Sequence, residues 1–120
     1  MDEANLVAKE LREKLEKKAF EIAKQFNTIS DFKSSMVAFD NFILNYPGTH
    51  YKEQALFYKL DSAYQLAINS VPAKMEERLL DAKTMYNNLM KFNSSSEYKD
   101  KADVMLARID NDLKQFSKIN

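Results

Sequence analysis

Residues 31–60 read DFKSSMVAFDNFILNYPGTHYKEQALFYKL, and the fold is decided in this stretch. Ser35 is followed by Phe39, Phe42, Ile43 and Tyr46 at three-and-four spacing, so a small residue and then large ones share one helical face. That pattern lets two helices approach closely and interlock. Pro47 restricts the residue before it and has no N–H to donate, so the helix stops at Tyr46, and Gly48 is expected to supply a permissive backbone for the turn. A second helix starts just beyond it. A helix, a hard stop and a helix imply partner helices on both sides.

Working outward, the spacing predicts five helices, at about 3–27, 31–46, 50–69, 73–92 and 97–117, in one domain spanning 1–120. The first carries a single stripe of Ala4, Val7, Ala8, Leu11, Leu15, Ala19, Ile22, Ala23 and Phe26, with the charged run ELREKLEKK read as its solvated face. Ser30 or Asp31 caps the second helix and Thr49 the third; Pro72 opens the fourth, and Ser94 with Glu97 has capping-box spacing before the fifth. The tail Lys118–Asn120 is expected to fray. One glycine, two prolines and no cysteine argue for long helices without disulfides. The class is all-α. Eighteen basic and eighteen acidic side chains cancel, which removes the global field that a nucleic acid or an anionic membrane surface would need.

A shift of 47 residues superposes Ser35 on Ala82, Phe39 on Tyr86, Phe42 on Leu89, and Tyr51-Lys52-x-x-Ala55 on Tyr98-Lys99-x-x-Ala102. The second helix thus corresponds to the fourth and the third to the fifth. Stacked pairs of this kind bury their apolar faces only against one another, so an α-solenoid of about two pairs closed by a C-terminal capping helix is expected.

These residues resemble the tetratricopeptide repeat. Ala19, Ile22, Ala23 and Phe26 fall on the motif's first-helix positions, and Ser35, Phe39, Phe42 and Pro47 on its second. The next unit offers Phe57, Leu60, Asp61 and Tyr64, then Ala82, Tyr86 and Leu89, with Asp61 where the motif has a small residue and about nine extra residues around 69–77. More narrowly, AFDNFILNYPGTHYKEQALFYKLDSAYQLAINSVPAKMEERLLDA is similar to the BamD family of outer-membrane assembly lipoproteins in the form found in the Bacteroidetes. That resemblance implies a piece of a longer protein, its C-terminal repeats, anchored through a lipid at the periplasmic face of the outer membrane and docking on the periplasmic domains of a BamA-type barrel protein. It implies no catalytic residue and no cofactor. A fragment of a glycan-binding SusD-type lipoprotein, or a generic repeat adaptor, is the alternative of the same fold.

The residues point away from catalysis. His50 is the single histidine, so a nucleophile–base pair has one candidate base; it is read as a surface or capping residue. No HExxH or calcium-loop spacing is present, and one glycine does not make a phosphate-cradling loop. Glu76 and Glu77 diverge by about 100° on a helix and share no focus. Tyr58, Lys59 and Ser62 are the residues expected to face a protein partner. Phe39 is expected at the centre of the packing: Phe39→Ala should cost ~3–5 kcal/mol in denaturant melts, and a loss below ~1 kcal/mol would refute its core position.

Overall fold

The structure is a computed structural model that describes residues 3–119, with side chains described to residue 116. Asn120, read as part of a frayed tail, lies outside the described residues, whereas Lys118 and Ile119 are helical. The elements are α1 (Glu3–Thr28), α2 (Phe32–Asn45), α3 (Lys52–Ile68), α4 (Pro72–Phe92) and α5 (Lys99–Ile119), with no strand among the described residues. Each helix packs on its neighbours in sequence, and α3 also touches α1 and α5. The backbones of α2 and α4 stay apart, although Met36 of α2 packs against the cluster that holds Leu79 and Ala82 of α4. The result is elongated, 65 × 28 × 19 Å with a radius of gyration of 16.8 Å, against roughly 13–14 Å for a compact domain of this length.

The core begins at Phe20, which is 2% exposed and contacts four rings: Phe39, Phe42, Tyr51 and Tyr58. Phe20 lies outside the three-and-four stripe of Ala19, Ile22, Ala23 and Phe26, yet it and not Ile22 is the large buried side chain of α1. The first half of that stripe is a second difference. α1 has 26 residues and α2 has 14, so α1 outruns its partner by about 18 Å at ~1.5 Å per residue. Val7, Leu11 and Leu15 are accordingly 50–62% exposed, and Ile22, beside Ala23, is 49% exposed. Of the other packing positions, Ala23, Ser35, Phe39, Phe42, Phe57, Leu60, Ala82 and Leu89 are buried, while Ala19, Phe26, Tyr64 and Tyr86 are half-buried. Pro47 is exposed and acts only as the stop.

Three helices, α1, α2 and α3, enclose a polar contact. Ser62 Oγ donates to Ser35 Oγ at 2.8 Å, Ser35 Oγ donates to the Ala23 carbonyl at 3.5 Å, and Asn27 Nδ2 donates to Ser62 Oγ at 3.0 Å and to Asp61 Oδ2 at 2.9 Å. Asp61, out of place in a small-residue position, is thereby explained as the acceptor for the last turn of α1. Ser62 is fully buried in this chain and has no surface to offer a partner, which corrects the expectation made for it.

The repeat extends to individual hydrogen bonds. In the turn from α2 to α3, Thr49 N–H donates to Tyr46 O at 3.0 Å and Tyr51 N–H to Thr49 Oγ1 at 3.1 Å; from α4 to α5, Ser96 N–H donates to Asn93 O and Tyr98 N–H to Ser96 Oγ, both at 3.1 Å. Both hydroxyl residues are buried, at 9% and 6% exposure. Tyr51 stacks on Phe20 with centroids 4.7 Å apart, as Tyr98 stacks on Phe57 at 4.3 Å. Glu16 accepts from Thr49 Oγ1 at 2.6 Å, and Glu53 from Asn93 Nδ2 at 2.9 Å. Phe20 therefore corresponds to Phe57 and Glu16 to Glu53, one residue away from the alignment that matched Ala23 with Asp61. The extra residues of the second unit form no loop. They lengthen α3 and α4 around a short break at Asn69–Val71.

Three local expectations change. α5 starts at Lys99, and Ser96, not the Ser94/Glu97 pair, serves its first turn. Gly48 does not have a positive φ, and a Cβ there would meet nothing within 4 Å, so the turn does not require glycine. The left-handed residue is Ser30, with φ 65°, where α1 ends: Asp31 N–H donates to Phe26 O at 2.9 Å and Ser30 N–H to Asn27 O at 3.0 Å, the Schellman pattern. An L-residue there is strained by ~1–2 kcal/mol, partly offset by the entropy that glycine would lose. Ser30→Gly is expected to stabilise the protein by roughly 0.5–1 kcal/mol in urea melts.

Candidate interaction surface

Because α2 and α4 flank α3 with their backbones apart, a cleft lies between them with α3 as its floor. It encloses about 370 Å³. Lys52, Leu56 and Lys59 come from successive turns of one face of α3, Asp40 and Ile43 from α2, and Asn88, Lys91 and Phe92 from the last turns of α4. Lys59 Nζ lies 2.5 Å from Asp40 Oδ1 and is largely shielded by the walls. Lys52 Nζ sits 5.5 Å from the centroid of the Phe92 ring, whose side is open to solvent. Three ammonium groups thus face one carboxylate around an apolar floor.

Of the residues expected to meet a partner, Lys59 lines this cleft. Tyr58 does not: its ring stacks 6.0 Å from Phe39 in the α1–α2–α3 core, with Lys24 Nζ 5.6 Å from its centroid. Lys52, Lys91 and Phe92 were missed. The signal was available for two of the α3 residues, since Lys52, Leu56 and Lys59 stand at i, i+4 and i+7, but nothing local says that α4 delivers Lys91 and Phe92 to the same place. His50 is exposed, its ring tilted by 33° against Tyr51 with centroids 4.2 Å apart and its Nδ1 3.9 Å from Glu16. Among the described residues there is no group of three or more acidic or histidine side chains able to hold a metal ion, and no helix long and apolar enough to cross a membrane.

A second polar cluster ties α4 to α5. Asp103 accepts from Tyr86 Oη at 2.5 Å and from Lys99 Nζ at 2.7 Å. The Lys99 hydrogen bond first, and the Tyr86 phenol second, hold the Asp103 carboxyl below its ordinary value; the same contact pushes the Tyr86 phenol up. Tyr86 occupies the position of buried Phe39 in the first unit, and its hydroxyl is what the second unit adds. A scan against protein-family models gives no match for this chain, and a search of curated proteins gives none either.

A depressed carboxyl pKa stabilises the fold above the unfolded value, about 3.9, and that contribution is lost as pH falls through the lower folded value. In an NMR titration Asp103 should therefore protonate below the ordinary aspartate value, and Tyr86→Phe should move it back up. An Asp103 midpoint at or above the ordinary value would refute the assignment.

Proposed function

We propose that the chain is a non-catalytic protein-interaction scaffold, an α-solenoid of tetratricopeptide-like helix pairs. The observation that carries this reading is the repeated turn: the same hydroxyl-centred hydrogen bonds and the same tyrosine stacking recur after α2 and after α4. A unit that reproduces its own joint presents neighbouring helix surfaces at a constant offset, which suits recognition of an extended protein surface.

The partner follows from the resemblance of residues 38–82 to BamD-type lipoproteins. In this reading the chain supplies the repeats that dock on the periplasmic domains of a BamA-type barrel protein, at the periplasmic face of the outer membrane, with the membrane contact made by a lipid anchor on the parent protein. Purified chain should bind those domains with a dissociation constant of tens of micromolar or tighter in biolayer interferometry. No binding at that concentration, from a chain whose circular dichroism and melting are intact, would overturn the docking role.

A further inference from the structure

We infer that the cleft between α2 and α4 binds an acidic segment of another protein, seating one large apolar side chain on Leu56 and Phe92 and its flanking carboxylates on Lys52 and Lys91. The inference deepens the scaffold reading by naming the chemistry of a partner, but it rests on the cleft itself and stands whether or not a BamA-type protein is that partner.

Three observations carry it. The first is charge. The chain is neutral as a whole, yet this cleft gathers three lysines against Asp40, and Asp40 is already taken by Lys59. Lys52 and Lys91 make no ion pair among the described residues. Glu53, adjacent to Lys52 in sequence, is engaged by Asn93 of α4. The second is that helix electrostatics do not account for Lys52. Lys91 lies in the last turn of α4, where the helix dipole favours a cation, but Lys52 is the first residue of α3, where the dipole disfavours one. A cation kept at the positive end of the helix dipole and beside the open ring of Phe92 adds to the positive potential there, and that combination suits a carboxylate. The third is shape. The cleft's volume falls in the range that holds a side chain or short segment, and Ile43 and Leu56 give it a half-buried apolar floor, with Phe92 at 49% exposure standing over one end.

An apolar residue between acidic ones matches all three. A nucleic acid backbone or an anionic bilayer matches only the first: either needs a broad basic surface, and outside this cleft the lysines of α1 are interleaved with glutamates.

The test uses the full chain and fluorescein-labelled ten-residue peptides in fluorescence anisotropy. One peptide carries a central phenylalanine flanked by glutamates, a second has serine in place of the phenylalanine, and a third has lysines in place of the glutamates. The first should bind, the others about tenfold or more weakly, and raising salt from about 50 to about 300 mM should weaken the first. Lys52→Glu, at a half-buried position, and Lys91→Glu, at an exposed one, should each reduce binding about tenfold with circular dichroism intact, while Lys101→Glu on the exposed face of α5 should leave it unchanged. Equal binding of the serine peptide, equal effects of all three charge reversals, or equally tight binding of a single-stranded oligonucleotide or of phosphatidylglycerol vesicles would each overturn the proposal. Loss of the BamA-type interaction alone, with peptide binding intact, would refute the docking role and leave the cleft assignment standing; the reverse result would refute the cleft and leave the docking role.

Discussion

Phe20 is the contact on which the rest of the structure depends. Its ring meets two rings from α2, Tyr51 at the joint before α3, and Tyr58 on α3 itself, so three helices converge on one side chain. Close approach of α2 to its neighbours is possible beside it because Ala23, Ser35 and Ser62 are all small and fully buried. A serine hydroxyl buried this deeply is costly unless satisfied, and the chain Asn27–Ser62–Ser35–Ala23 satisfies each one in turn. Packing and polar satisfaction therefore hold α1, α2 and α3 in one arrangement.

The second unit solves the same geometry with different chemistry. Ala82 and Ile109 stand 47 residues beyond Ser35 and Ser62, and both are fully buried in one apolar cluster with Ala63, Ala67 and Leu79. The hydroxyl pair of the first unit becomes a hydrocarbon contact in the second. Polarity returns on the outside of α4, where Tyr86 reaches Asp103 and Lys83 Nζ reaches Asp110 Oδ1 at 2.9 Å. What the two units share without change is the joint, because a buried Thr or Ser hydroxyl has to accept the N–H that the turn leaves unpaired.

The cleft is a consequence of this stacking. When each helix packs on its neighbours in sequence and alternate helices α1, α3 and α5 also meet, α2 and α4 are left on the far side with a gap between them. Ile43 and Leu56 at the base of this gap also pack into the core clusters, whereas Lys52 and Lys91 at its rim belong to none of them. The overhang of α1 has a related origin in helix length: α2 is too short to cover the apolar residues of its first turns.

The five helices, their approximate ends and the correspondence of Ser35, Phe39 and Phe42 with Ala82, Tyr86 and Leu89 were all legible in the sequence, because spacing, proline and capping residues act over a few positions. Ala19 and Ala23 of α1 were legible as core residues, but which large residue beside them is buried was not. Both Ile22 and Phe20 are large and apolar, and only the position of Tyr51 and Tyr58 in space selects Phe20. The offset between α1 and α3 likewise waited on contacts across 33 to 40 residues, from Glu16 to Thr49 and from Glu53 to Asn93. Lys52, Lys91 and Phe92 belong together for the same reason. Local pattern determines that a helix forms and which of its residues are apolar; only the packing of three helices decides which of those residues meet, and which are left facing a cleft.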